Sequence, residues 1–68
     1  MTITATMPAH QIARVLAGFC EDRDIPFSRF GRHAVGDPRL IYDVQGGRTL
    51  RPVTIDRINQ ALERGGQV

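Results

Sequence analysis

The sequence contains no lysine and no tryptophan, and it has one cysteine, Cys20. A single cysteine permits no internal disulfide, which agrees with a reducing compartment. No apolar run approaches the ~18 residues that a membrane-spanning helix needs. The first residues also lack the charged and apolar regions of a signal peptide. These absences predict a cytoplasmic protein with no membrane partner.

Residues that commonly support catalysis or bind metals are also sparse. His10, His33 and Cys20 are the soft metal ligands, and their spacing matches no C-x-x-C or H-x-x-x-H pattern. The pair Gly46-Gly47 lacks the sequence context of a phosphate-binding loop. A 68-residue chain without a paired acid and base offers little catalytic pocket. The sequence therefore predicts no enzymatic activity, no metal, no cofactor and no small-molecule ligand.

All nine basic residues are arginines, and they are unevenly distributed. From Ser28 to Arg51 the chain has five arginines and two aspartates, a local charge of +3. The remainder has four arginines and five acidic residues, a charge of −1. Arginine makes bidentate contacts to guanine and phosphate, so this segment is a candidate for binding a polyanion. A GC-rich genome that favours arginine codons is the alternative explanation for the missing lysines.

The dipeptide Asp37-Pro38 marks the start of a short helix, because Asp is a preferred N-cap and proline fits the first helical position. The glycines after Gln45 end it, so the predicted helix spans 38–45. Its spacing separates an apolar inner face from a polar outer face. The inner face has Leu40, Ile41 and Val44, and the outer face has Arg39, Tyr42 and Asp43.

Three further helices are predicted from apolar spacing and end signals. The first runs from Pro8 to about Arg23, and the second spans 28–34 with Phe30 and Ala34 inward, followed by a turn at Val35-Gly36. The last helix has Thr54 as its predicted N-cap, an inner stripe of Ile55, Ile58, Ala61 and Leu62, and an end at Gly65-Gly66.

These elements predict an all-α fold of four or five helices in one domain that spans 8–64. Residues 1–7 and 65–68 are expected to be flexible ends. The predicted core contains Ile12, Leu16, Phe19, Phe30, Ile41, Val44, Ile58 and Leu62.

Two short helices joined by a glycine-containing turn are typical of the helix-turn-helix motif. The segment resembles the lambda-repressor-like, Cro/C1-type DNA-binding domains, in particular a short bacterial and phage variant with the pattern FGRxAVxDPxLxxDxxxGR. The matching residues are Phe30-Gly31-Arg32, Ala34-Val35, Asp37-Pro38, Leu40, Asp43 and Gly47-Arg48. The chain departs from the broader family at Gly31, where Ala is usual. The resemblance extends from about Ile12 to Leu62 and implies a compact four-to-five-helix lambda-repressor-like domain.

The motif implies that helix 38–45 enters the major groove of double-stranded DNA. The residues expected to read bases are Arg39, Tyr42 and Asp43. Arg39 could instead contact a nearby phosphate or be a solvated surface side chain, and Tyr42 could contact a phosphate or lie against the domain surface. A salt bridge from Asp43 to Arg32 or Arg48 is the alternative for that carboxylate. The residues expected to contact phosphates are Ser28, Arg29, Arg32, Arg48 and Arg51. Solvated surface charge is the competing interpretation of these arginines, and helix capping is the alternative for Ser28.

The functional hypothesis is a sequence-specific DNA-binding transcriptional regulator, such as a repressor or a phage or mobile-element control protein. A homodimer is expected, at least on DNA, with Leu50 and Val53 at the contact. The alternative is a protein-interaction module on the same fold, which acts as an inhibitor or adaptor of another regulator. Salt dependence separates the two hypotheses, because phosphate contacts weaken steeply with salt and apolar protein contacts do not.

Overall fold

The computed structural model describes residues 2–65, and four helices account for most of them. The helices are α1 (Ala9–Asp22), α2 (Phe27–Val35), α3 (Leu40–Gln45) and α4 (Pro52–Glu63). No strand occurs within those residues, so the predicted all-α class with four or five helices is confirmed. The first helix lies against α2 and α3, and α2 also packs against α3 and α4. Of the predicted flexible C-terminal end, residues 66–68 lie outside the described part.

The predicted core is buried at every one of its positions. Phe19 of α1 and Phe30 of α2 form its centre, with their ring centroids 5.7 Å apart in an edge-to-face arrangement. Aromatic pairs favour this geometry because the positive edge of one ring meets the negative face of the other. The apolar stripe predicted for the last helix is also buried, so this face of α4 packs against the core.

The last helix starts earlier than the sequence predicts. Its first residue is Pro52, and Thr54, the predicted N-cap, lies inside the helix. Proline fits the first helical position because the N–H that it lacks would have no partner there. The backbone N–H of Ile55 then donates to the carbonyl oxygen of Arg51, at 3.0 Å. The prediction of Thr54 as the cap is therefore wrong.

The segment before α1 contributes to the core, contrary to the expectation of a flexible end at 1–7. Ile3 is only 1% exposed. Its backbone N–H donates to Oδ1 of Asn59 at 2.8 Å, and Nδ2 of Asn59 donates to its carbonyl oxygen at 2.9 Å. The Asn59 amide thus satisfies both backbone groups that burial of Ile3 would otherwise deprive of water. Met1 lies outside the described residues.

Candidate functional site

The connection between α2 and α3 is a tight turn centred on Gly36. Gly36 has φ 76° and ψ 15°, a left-handed conformation that favours glycine. Its N–H donates to the carbonyl oxygen of Arg32 at 2.9 Å, and the N–H of Asp37 donates to the carbonyl oxygen of Gly31 at 3.2 Å. Val35, predicted to lie in the turn, is the last residue of α2. The turn therefore begins one residue later than predicted.

Asp37 organises the start of α3, although the helix itself begins at Leu40 and not at Pro38 as predicted. The N–H of Arg39 donates to Oδ1 of Asp37 at 2.9 Å, and the N–H of Leu40 donates to the Asp37 carbonyl oxygen at 3.2 Å. These bonds fold Pro38 and Arg39 into a turn that precedes the first helical residue. The N-cap of α3 is Arg39, so the prediction of Asp37 as the N-cap is wrong; the Asp37 side chain instead stabilises the turn that leads into the helix.

Gly31 allows this turn to lie directly on α2. A methyl group built on Gly31 would overlap the carbonyl oxygen of Asp37, and it would approach Cβ of Leu40 to 3.0 Å. Any larger residue here must push the start of α3 away from α2. The close contact explains why glycine occupies position 31.

The two faces of α3 are as the sequence predicts. Leu40, Ile41 and Val44 are fully buried, whereas Tyr42 is 55% exposed. Arg39 is exposed immediately before the helix. The helix has only six residues and would not be stable alone, so its buried face against the core must hold it in place. Packing of the buried face against the core therefore fixes the position of the exposed face.

An aromatic contact that the sequence analysis does not predict braces Tyr42. Its ring centroid lies 5.7 Å from that of Phe27, the first residue of α2, with the ring planes inclined at 55°. Phe27 is half-buried and also packs against the core. The contact covers part of the Tyr42 ring and leaves the rest exposed on the outer face of α3.

Arg48 forms ion pairs with both aspartates of this region. Its Nη1 lies 3.2 Å from Oδ2 of Asp37 and 3.4 Å from Oδ2 of Asp43. The backbone N–H of Arg39, together with the guanidinium of Arg48, lowers the pKa of Asp37 below its ordinary value of 3.8. Of the two partners predicted for Asp43, Arg48 is the one that the structure shows. The ion pair of Arg48 with Asp37 is not predicted from the sequence.

The outer side of α2 carries a second group of predicted site residues. Ser28, Arg29 and Arg32 line an open groove of about 700 Å³, together with Pro26 and His33. Ser28 does not cap α2, because the helix starts at Phe27 and its N-cap, Pro26, makes no side-chain hydrogen bond. The groove therefore brings together three of the five residues predicted to contact phosphates.

The remaining predicted phosphate contact, Arg51, lies apart from that groove. It is exposed and occupies the N-cap position of α4. The eight predicted site residues thus fall into three groups: the outer face of α3 with Arg48, the groove on α2, and the start of α4. The contacts of Phe27 with Tyr42 and of Asp37 with Arg48 join residues 15 and 11 positions apart. The sequence offers one signal for the contact of Asp37 with Arg48, which is the chain reversal expected at Gly46-Gly47.

The single cysteine lies inside the core and not at this site. Burial, with a smaller contribution from the charge of Glu21, raises the pKa of the Cys20 thiol to about 11.

Within residues 2–65 no group of three or more His, Cys, Asp or Glu side chains is placed to hold a metal ion. None of the helices in that part of the chain is long and apolar enough to cross a bilayer. Comparison of the chain with protein-family models, curated proteins and solved structures gives no match.

Proposed function

We propose that this protein is a sequence-specific DNA-binding transcriptional regulator, and that α2, the turn at Gly36 and α3 form a lambda-repressor-like helix-turn-helix. The main support is the division of α3 into a fully buried face and an exposed face with Tyr42, together with exposed Arg39 at the N-cap of the same helix. In this motif the residues at the start of the second helix reach base edges in the major groove. An arginine at the N-cap of a helix that packs on the core suits the reading of a guanine.

The charged residues around α3 have different proposed roles. Phosphate contacts are assigned to Arg29 and Arg32, which line the α2 groove with Ser28 beside them. Arg51 would make a further phosphate contact from the start of α4. These residues fix the position of the protein on the duplex and carry no base preference.

Tyr42 and Asp43 are neighbours on α3, but their proposed roles differ. Tyr42, held by Phe27, would contact a thymine methyl group or a phosphate. Asp43 is engaged with Arg48, so its proposed role is to position that arginine and not to read cytosine. Arg39 is thus the principal base-reading residue of the proposal.

Replacement of Arg39 by alanine tests the proposed function directly. Affinity for the preferred site should fall by about 1–3 kcal/mol, and preference should relax at one base position per half-site, because a bidentate contact to guanine is lost. The measurement is binding to a site selected from random DNA and to its single-base variants, across a salt series. Arg57→Ala is the matched control, since Arg57 is exposed on α4, outside the α2–α3 unit, and its loss changes the net charge equally.

Equal effects of the two substitutions would contradict base reading by Arg39. Wild-type binding that does not weaken steeply with salt would contradict phosphate contacts altogether. In that case the protein-interaction alternative would be preferred, with the exposed side of α3 as the binding surface.

A homodimer is proposed on DNA only. Leu50, expected at the dimer contact, is 8% exposed and belongs to the core, whereas Val53 is 59% exposed. Among residues 2–65 the exposed large apolar side chains are Tyr42 and Val53. Two such side chains are too little for the roughly 1,200–2,000 Å² that stable interfaces bury. Sedimentation velocity should therefore find a monomer without DNA and two copies on a palindromic selected site; a stable free dimer would contradict this proposal.

A further inference from the structure

Arg48 differs from the other arginines near α3 because two carboxylates hold its guanidinium. Asp37, before α3, lies 3.2 Å from its Nη1, and Asp43, within α3, lies 3.4 Å from the same atom. The three charges sum to −1. The backbone is fixed as well, since the N–H of Arg48 donates to the carbonyl oxygen of Asp43 at 3.0 Å. Gly47, with φ 101°, turns the chain back to make this bond.

We propose that Asp37 and Asp43 hold the charge of Arg48 away from DNA phosphates and thereby limit the sequence-independent part of DNA affinity. The inference rests on the proposed function of α3. It assigns the two aspartates as positioning residues that act through Arg48. It also removes Arg48 from the phosphate contacts that the sequence predicts.

The competition between the aspartates and a phosphate supports this assignment. One phosphate would have to draw the guanidinium from two carboxylates that already lie within ion-pair distance. If the guanidinium moved to the phosphate, the carboxylates of Asp37 and Asp43 would be left unpaired beside the DNA, and like charges repel. Arg29 and Arg32 have no ion-pair partner among residues 2–65, so they remain available for phosphates. Recognition would then depend more strongly on base contacts such as that of Arg39.

The double variant Asp37→Asn/Asp43→Asn tests the proposal. Asparagine keeps the side-chain oxygen that accepts the Arg39 N–H, so the start of α3 is preserved. The probes are the selected site and a scrambled duplex of equal length. Release of Arg48 should steepen the slope of log affinity against log salt by about 0.9 per bound copy on both duplexes, which corresponds to about eightfold tighter binding per copy at 0.1 M salt. The gain per copy should be equal on both duplexes, since phosphate contacts carry no sequence information.

Two comparisons separate release of Arg48 from simple removal of negative charge. In an Arg48→Gln background the two asparagines should leave the salt slope unchanged, and Arg48→Gln alone should leave the wild-type slope unchanged. Asp22→Asn/Asp24→Asn makes the same charge change at the end of α1 and should also leave the slope unchanged. A steeper slope in the Arg48→Gln background or in the α1 control would overturn the proposal.

The outcomes also distinguish this inference from the proposed function. If the wild type shows salt-dependent DNA binding and the double variant has the wild-type slope, only the inference fails. If neither the wild type nor any variant binds DNA, the proposed function fails and the inference with it. Circular dichroism melting of every variant establishes that each is folded at the temperature of the binding measurement.

Discussion

Replacement of Phe30 by alanine is expected to unfold the domain, or nearly so, at room temperature. The ring is fully buried between helices and lies edge to face against Phe19, with the centroids 5.7 Å apart. Loss of a buried phenylalanine costs about 3–5 kcal/mol, because transfer free energy is lost and a cavity remains. Small domains have total stabilities of roughly 5 kcal/mol, so the loss removes most of the available stability. Urea denaturation followed by circular dichroism measures the change.

Phe27→Ala is the matched control for that experiment. Phe27 lies three residues earlier on the same helix, but it is only half-buried, and its ring contacts exposed Tyr42. Its loss should cost about 1 kcal/mol, since much less apolar surface returns to water. Equal destabilisation by the two substitutions would mean that Phe30 is not at the centre of the core.

The sequence predicts the core correctly because helical burial has a local signature. Apolar residues recur at Ile12, Leu16 and Phe19 in α1, and the same spacing marks Ile58 and Leu62 in α4. A helix with one face against other helices requires this period, so the inward residues can be identified without knowledge of what they contact. Helix ends are less certain. The start of α3 differs from prediction by two residues and the start of α4 by three, because several turn and proline geometries suit the same residues.

Apolar periodicity does not reveal contacts between distant parts of the chain. Burial of Ile3 depends on Asn59, 56 residues away, and neither residue belongs to a repeating pattern that would reveal the contact. The same is true of the candidate site. The faces of α3 follow from periodicity, whereas the engagement of Arg48 by Asp37 exists only because the chain reverses after α3. The sequence identified Arg48 as a charged residue of the site but not the partners that determine its role.

Gly31→Ala is expected to be the second most damaging substitution, because it separates α2 from the start of α3. The added methyl group would overlap the carbonyl oxygen of Asp37 and lie 3.0 Å from Cβ of Leu40. The oxygen cannot move freely, since it accepts the N–H of Leu40 at 3.2 Å. Overpacking of a close contact costs about 1–3 kcal/mol, occasionally more, and a clash with backbone belongs at the upper end. We expect a net loss of about 2 kcal/mol after the roughly 1 kcal/mol that alanine gains over glycine within a helix.

Gly18→Ala provides the control, because it makes the same substitution inside α1 where a methyl group meets no atom within 4 Å. It should stabilise the domain by about 1 kcal/mol through helix propensity alone. Urea denaturation of both variants gives the two changes, which should have opposite signs. Displacement of α3 should also weaken binding to the selected DNA site in Gly31→Ala under conditions where the variant remains folded, and Gly18→Ala should bind as the wild type does. Stabilisation by both substitutions would show that α3 does not rest on Gly31, and the position proposed for Arg39 relative to the α2 groove would then be wrong.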